Sequence, residues 1–345
     1  MRYRILGRTG LRASAIALGT GSLGTGWGHG AEPAEAREIY RRYRDVGGNF
    51  IDTANIYQGG ESETLLGQIM QADRRDIILA TKFSLAGAPN EGLLTTGNSR
   101  RAMVQATEES LSRLSTDWID LLWVHVPDGV TPIDEIARAL DDLVRSGKVL
   151  LVGLSNFPAW RVATAATLAE LRGWAPVQAI QSEYSLVERT AERESLPMAA
   201  AFGIAPIAWS PLGGGVLTGK YRRGETGRRE KLKVAIHVED ARTSAILDIV
   251  IEIAGELNVS PGQVSIAWVL AKGLFPIVGP RTADQLSDNL ASANVNLSAE
   301  QIMRLDTVSA SPLGAPHEKF GARQIADLVS GGKADLIDRP AIAPR

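Results

Sequence analysis

Asp52, Tyr57, Lys82 and His125 are polar side chains at or just beyond three apolar runs, NFID, DIILATK and IDLLWVH, that read as strands. If those strands lie side by side in a barrel, the four groups meet at one mouth. A tyrosine hydroxyl ordinarily has a pKa of about 10, and a neighbouring ammonium favours its phenolate. Lys82 is therefore expected to tune Tyr57. Asp52 is expected to pair with Lys82 and keep it charged and oriented, while His125 hydrogen-bonds a carbonyl oxygen. Such a set suits proton donation to a developing alkoxide. No side chain supplies hydride, so the electrons require a borrowed cofactor, and the nicotinamides are the usual source.

The rest of the composition is consistent with that chemistry. With 345 residues, 44% hydrophobic and 22% charged, the chain can bury a large core as one barrel-sized domain or two smaller ones. A net charge of −2 gives no global field that would favour nucleic acid or an anionic membrane. The absence of cysteine excludes disulfides, thiolate metal sites and cysteine nucleophiles. The four histidines show no HxxxH-like spacing, so no metal site is expected, even with Glu183 and Asp128 near strand ends. MRYRILGRTG lacks a sustained apolar stretch, and the most apolar later segment is interrupted by Lys272 and Pro276, which makes a cytoplasmic protein the expectation.

Eight short β-branched or aliphatic runs alternate with helical patterns: AIALGT, NFID, IILATK, IDLLWV, VLLVGLS, AIQSE, PIAWS and FPIVG. In PIDEIARALDDLVRSGK, Ile133, Ile136, Ala137, Leu140, Leu143 and Val144 share one face between Pro132 and Gly147. Similar patterns predict helices near 33–46, 99–114, 158–171, 190–202, 240–257, 261–271, 282–291 and 298–310, with Ser260 and Pro261 as cap and first residue. Thr282 and Gln285 have capping-box spacing. The expected fold is an α/β (β/α)8 TIM barrel over residues 1–310, with a tail from 311 to 345. YRILGRTGLRASAI predicts an N-terminal β-hairpin closing the barrel bottom. A doubly wound sheet is the alternative, and GTGSLG matches its phosphate fingerprint only loosely.

In such a barrel the active residues come from the C-terminal strand ends. Those ends carry Asp52, Lys82, His125, Ser155-Asn156, Gln181, Glu183-Tyr184, Trp209-Ser210 and, past Gly279, Arg281.

Seven ordered motifs, GxNFIDTAxxY, LATKF, DLLWVH, LVRSGKVLLVGLSNF, QSEYSL, WSPLGGGVLTGKY and VGPRTADQLSDN, resemble those of the aldo-keto reductases along almost the whole chain. The resemblance implies an NAD(P)H-dependent carbonyl reductase acting on a small-molecule carbonyl substrate. Asp52, Tyr57, Lys82 and His125 match the catalytic tetrad, with Tyr57 as general acid. Ser155, Asn156 and Gln181 would then bind the nicotinamide carboxamide, Trp209 would stack on the ring, and Ser210, Leu212 and Gly215 would line the pyrophosphate. Gly19, Thr20, Pro211, Leu217, Lys220 and Gly279 belong to the same expected groove. Arg281, Gln285 and Asn289 match the adenosine end, and a guanidinium at Arg281 suits a 2′-phosphate, so NADPH is expected over NADH. Trp27 and Phe83 are expected to line the substrate pocket together with Tyr57 and His125.

Some positions depart from the family pattern. Gln58-Gly59-Gly60-Glu61 follows Tyr57 in place of an immediate glycine, and Gly21 stands where a bulky residue is common. Both alter the pocket lining. Arg222, Arg223, Arg228, Arg229, Lys231 and Lys233 make the segment after the seventh strand strongly basic, either a solvated surface or a flap over cofactor phosphates. Trp118 and Trp123 read as packing residues. A second reading is a cofactor-binding regulatory subunit resembling potassium-channel β subunits, although the hairpin is expected to begin without the long extension such a subunit would carry.

Overall fold

Eight short strands pair with parallel neighbours and close on themselves, in the order β10-β3-β4-β5-β6-β7-β8-β9. They are β3 (Ala17–Gly19), β4 (Phe50–Asp52), β5 (Ile78–Phe83), β6 (Ile119–Val124), β7 (Val149–Ser155), β8 (Val177–Glu183), β9 (Ala205–Trp209) and β10 (Phe275–Val278). A computed structural model describes residues 1–87, 92–225, 240–320 and 323–338 of the chain. Around the barrel lie α1 (Pro33–Asp45), α2 (Glu61–Ile69), α3 (Arg100–Leu114), α4 (Ile133–Arg145), α5 (Ala159–Arg172) and α6 (Ser195–Phe202). The layer continues with α7 (Ala241–Leu257), α8 (Pro261–Ala271), α9 (Ala283–Ala291) and α10 (Ala299–Val308). The (β/α)8 barrel expected from the strand pattern is the observed fold.

Period-two alternation sorts the strand residues into two cores. Ala17, Phe50, Ile78, Ala80, Leu121, Trp123, Ala179, Ile207 and Phe275 fill the barrel interior. Their strand neighbours, such as Leu122, Val124, Val152 and Ile180, pack outward against helices. The hairpin of β1 (Tyr3–Ile5) and β2 (Arg12–Ser14) closes the barrel bottom. Leu6 and Ala13 join the interior cluster, and Arg8 donates its backbone N–H to Gln178 near the start of β8, at 3.1 Å.

Two helix readings need correction. The pattern over 190–202 is divided into a 3₁₀ turn at Thr190–Glu192 and α6. Pro197 has no N–H to give the carbonyl four residues back and its ring would clash there, so it is tolerated only in a first turn. The helix must begin just ahead of it. The other correction is α2, where the sequence reading assigned no helix; its short apolar stripe of Leu65 and Leu66 is preceded by two glycines that mask the start. In the tail, a helix spans Arg323–Val329.

One pair in the barrel interior decides how the largest side chain fits. Trp123 on β6 lies opposite Gly153 on β7, and a Cβ on Gly153 would come within 2.4 Å of the indole ring. Gly153→Ala is expected to cost about 1–3 kcal/mol through overpacking. In a Trp123→Leu background the same change should cost much less, as measured by urea unfolding of the two singles and the double. Equal costs in both backgrounds would mean that the close approach is not what holds glycine there.

Candidate active site

At the C-terminal mouth, Asp52 ends β4, Lys82 lies near the end of β5, and His125 follows β6. Tyr57 opens the 3₁₀ turn Tyr57–Gly60 that follows β4. Lys82 is fully buried, and its ammonium donates to the Asp52 carboxylate Oδ1, to Thr53 O at 2.9 Å and to Tyr57 Oη at 3.1 Å. Burial alone would drive the Lys82 pKa down, but the Asp52 charge and the hydrogen bonds hold it above the ordinary lysine value. The second carboxylate oxygen of Asp52 accepts from Trp123 Nε1 and from Gln181 Nε2, each at 3.0 Å. A buried carboxylate needs donors of this kind to replace water.

Trp123 is thus a site residue that the sequence reading left in the packing. The signal was available: it stands two before His125 along β6 and its extension, so both face the same side. The same alternation corrects Phe83. Lys82 points inward, so Phe83 points outward, where it is 1% exposed among Met103, Ile119 and Val124 and does not reach the mouth.

The His125 ring meets the edge of Tyr57, with centroids 6.2 Å apart and planes at 86°. Its Nδ1 is buried without a partner, so a proton there would be an orphaned donor, and Nε2 is the nitrogen left to donate. Burial first, and the Lys82 charge second, push the His125 pKa down to about 3. The imidazole is therefore neutral at neutral pH. It can donate one hydrogen bond without bringing a second positive charge beside Lys82.

Other expected site residues fall into groups. Ser155 is buried at the end of β7, and Asn156 donates to its Oγ and to His125 O, both at 3.0 Å. Asn156 Oδ1 accepts from Trp209 Nε1 at 2.9 Å, so this amide is engaged on both sides. Gly19 and Thr20 lie buried beside Asp52, and Thr20 N donates to Asp52 O at 3.0 Å. After β9, Ser210 Oγ accepts from Gly214 N at 3.0 Å. Pro211 is buried there and Leu212 partly so, and Leu217 packs in the core and offers no side chain to a groove. Gly215 adopts φ 95° with Lys220 close by, since a Cβ there would fall 2.7 Å from the Lys220 ammonium.

Arg281 and Gln285, past Gly279, line a cavity of about 480 Å³ with Thr282, Thr25, His29 and Glu32. Asn289 is 8% exposed and does not line it. Thr282 caps α9, but Gln285 reaches back to Arg281 N at 2.9 Å, so the box is closed one residue further out than expected. Of the basic segment, Arg222 is tied to Asp248 and Ser244 O, and Arg223 to Glu225 and Thr218 O. Arg228, Arg229, Lys231 and Lys233 lie outside the described residues.

The depressed His125 pKa links to stability. The unfolded chain takes up this proton near pH 6.5 and the folded chain not until about pH 3, so acid favours unfolding across that window. His125→Gln lacks the group. Its unfolding free energy, followed by urea titration, should therefore fall less than that of the wild type on acidification from pH 6.5 towards 3. Parallel declines would show that His125 is not held neutral.

The family profile described as Aldo/keto reductase family matches residues 15–310. An uncharacterized oxidoreductase, YrpG, of Bacillus subtilis (strain 168) is 37% identical over 331 residues, covering 93% of this chain and 99% of its own. A putative aryl-alcohol dehydrogenase, AAD14, of Saccharomyces cerevisiae is 32% identical, with 93% and 90% covered. The norsolorinic acid reductase of Aspergillus flavus is 33% identical, with 91% and 82% covered. Likeness on this scale, across the barrel and its mouth together, makes the chain a member of the aldo/keto reductase family and an oxidoreductase.

Proposed function

We propose that the chain reduces an aldehyde or ketone to the alcohol, with NADPH as hydride donor and Tyr57 as the acid. The observation that carries this reading is the position of the Lys82 ammonium between the Asp52 carboxylate and the Tyr57 hydroxyl, 3.1 Å from the latter. Tyr57 gives its proton to the substrate oxygen as negative charge develops there. Lys82 stabilises the charge left on the phenolic oxygen, and Asp52 holds Lys82 in place. His125, neutral and able to donate through Nε2, orients the carbonyl oxygen towards Tyr57.

The residues present suit a dinucleotide. Arg281 sets a guanidinium beside the cavity, and Gly213, Gly214 and Gly215 form a backbone run without side chains after β9. NADPH, when bound, supplies the hydride. Arg281 would hold its 2′-phosphate, with Gln285 beside it and Ser210 nearer the pyrophosphate. Both side-chain amide protons of Asn156 are engaged, so the nicotinamide carboxamide falls to the Ser155 hydroxyl and the Gln181 side-chain oxygen Oε1, with Trp209 beside the ring. Among substrates, an aromatic carbonyl compound is favoured by Trp27 at the mouth and by the likeness to the putative aryl-alcohol dehydrogenase of Saccharomyces cerevisiae.

Tyr57→Phe should lower kcat by about 10²-fold or more with aldehyde and NADPH, while circular dichroism stays unchanged. Wild-type turnover in that variant would sink the proposal. Titrating tryptophan emission with NADPH and NADH should give tighter NADPH binding, and Arg281→Ala should abolish the preference. A preference that survives the substitution would place the phosphate elsewhere.

A further inference from the structure

Just after Tyr57, Gln58 in the 3₁₀ turn and Glu61 at the start of α2 carry long polar side chains, and both are committed to the loop that bears Trp27. Glu61 Oε2 accepts the backbone N–H of Thr25 at 2.7 Å and of Gly26 at 2.8 Å. Gln58 Oε1 accepts the N–H of Trp27 at 2.8 Å, and its Nε2 donates to Gly21 O at 3.0 Å. Three consecutive amides therefore find their acceptors on side chains from another segment. A surface loop has no need of this, because water satisfies exposed amides at little cost.

Two further observations show that the contact is built in. Gln58 is 2% exposed and sits at φ 55°, ψ 33°, a region that a residue with a Cβ adopts at a cost. On the other side, the loop approaches so closely that a Cβ on Gly26 would fall 2.3 Å from Gln58 O, and one on Gly24 would fall 2.8 Å from the Glu61 carboxylate. The outcome is a fixed ring: Trp27 stands with its centroid 6.2 Å from that of Tyr57, the planes at 81°. Trp27 is 37% exposed at the mouth, and glycines on either side of it would otherwise let the loop wander.

We infer that Gln58 and Glu61 are positioning residues that hold residues 25–27 and so fix Trp27 as the wall against which a flat aromatic carbonyl compound docks beside Tyr57. The substrate rests on the reductase reading, whereas the clamp does not. Ordering the loop before binding removes an entropic cost that an aromatic substrate would otherwise meet. A small aliphatic aldehyde touches less of the wall and gains less from it.

The test uses the full-length protein, with Gln58→Ala, Glu61→Ala, Glu61→Gln, Gly26→Ala and Trp27→Ala beside the wild type. Hydrogen exchange of peptides covering residues 22–30 reads the clamp without turnover. Gln58→Ala and Glu61→Ala should speed exchange there by about tenfold or more, and Glu61→Gln, which keeps one acceptor oxygen, should lie between. Kinetics at saturating NADPH with benzaldehyde and propanal read the wall. The KM for benzaldehyde should rise by roughly fivefold more than that for propanal, as for Trp27→Ala, with the loss falling on KM and not on kcat. Gly26→Ala displaces the loop from its own side and should show the same split if a clamp variant fails to fold. Unchanged exchange, or equal KM increases for both aldehydes, would overturn the inference. Should the wild type reduce neither aldehyde, the reductase reading falls, while the exchange experiment still decides the clamp.

Discussion

The Lys82–Asp52 ion pair is the interaction on which the rest of the mouth depends. Both side chains lie in the barrel interior, at 0% and 2% exposure, where two charges stripped of water are costly unless their remaining hydrogen-bonding capacity is met. Lys82 meets it with Thr53 O and the Tyr57 hydroxyl, and Asp52 with the Trp123 indole and the Gln181 amide. Those partners come from the segment after β4, from β6 and from β8. No two adjacent strands could supply them. A closed barrel can, because closure turns the ends of non-neighbouring strands towards one axis. The hairpin matters for the same reason: with Leu6 and Ala13 packed into the bottom of the interior, water is kept from the apolar layer beneath the pair.

Alternation along the strands then assigns every neighbour its side. Lys82 inward sends Phe83 outward, and Leu121, Trp123 and His125 share the inner face of one strand and its extension. Trp123 is the piece that joins packing to chemistry. It fills the interior beside Gly153 and at the same time offers its N–H to Asp52. A smaller residue would leave a void and an underbonded carboxylate together, so the tryptophan and the glycine opposite form one solution to two constraints.

Much of this was legible in the sequence, and the failures have physical causes. The strand runs and most helices follow from periodicity, because buried parallel strands are short apolar stretches and the helices carry clear stripes. The convergence of Asp52, Tyr57, Lys82 and His125 follows from where those runs end. Phe83 adjoins Lys82 in sequence, yet the period of two sends it to the opposite face of β5, a distinction that nearness along the chain does not show. Trp123 was read as packing because composition cannot show that an indole N–H faces a carboxylate. The helix after Tyr57 was missed because Gly59 and Gly60, at φ 66° and 92°, disguise its start. Gln58 and Glu61 were seen as a departure from a pattern, but their partners are backbone amides some 35 residues away, a distance no local pattern encodes.

The result is a division of labour between rigid and looped parts of one mouth. The groups assigned to proton transfer sit on strands or directly after them, and their positions are over-determined by charge pairing and packing. Trp27, the proposed substrate wall, stands on a glycine-rich loop, the kind of segment that drifts unless it is tied. Here the tie reaches from residues directly after Tyr57, so Trp27 takes its position from the tyrosine it faces. Changing the length or polarity of residues 58–61 would then shift the wall relative to the tyrosine while leaving the ion pair beneath it alone. On the proposed reading, such an arrangement keeps the reaction centre fixed while the substrate that reaches it changes.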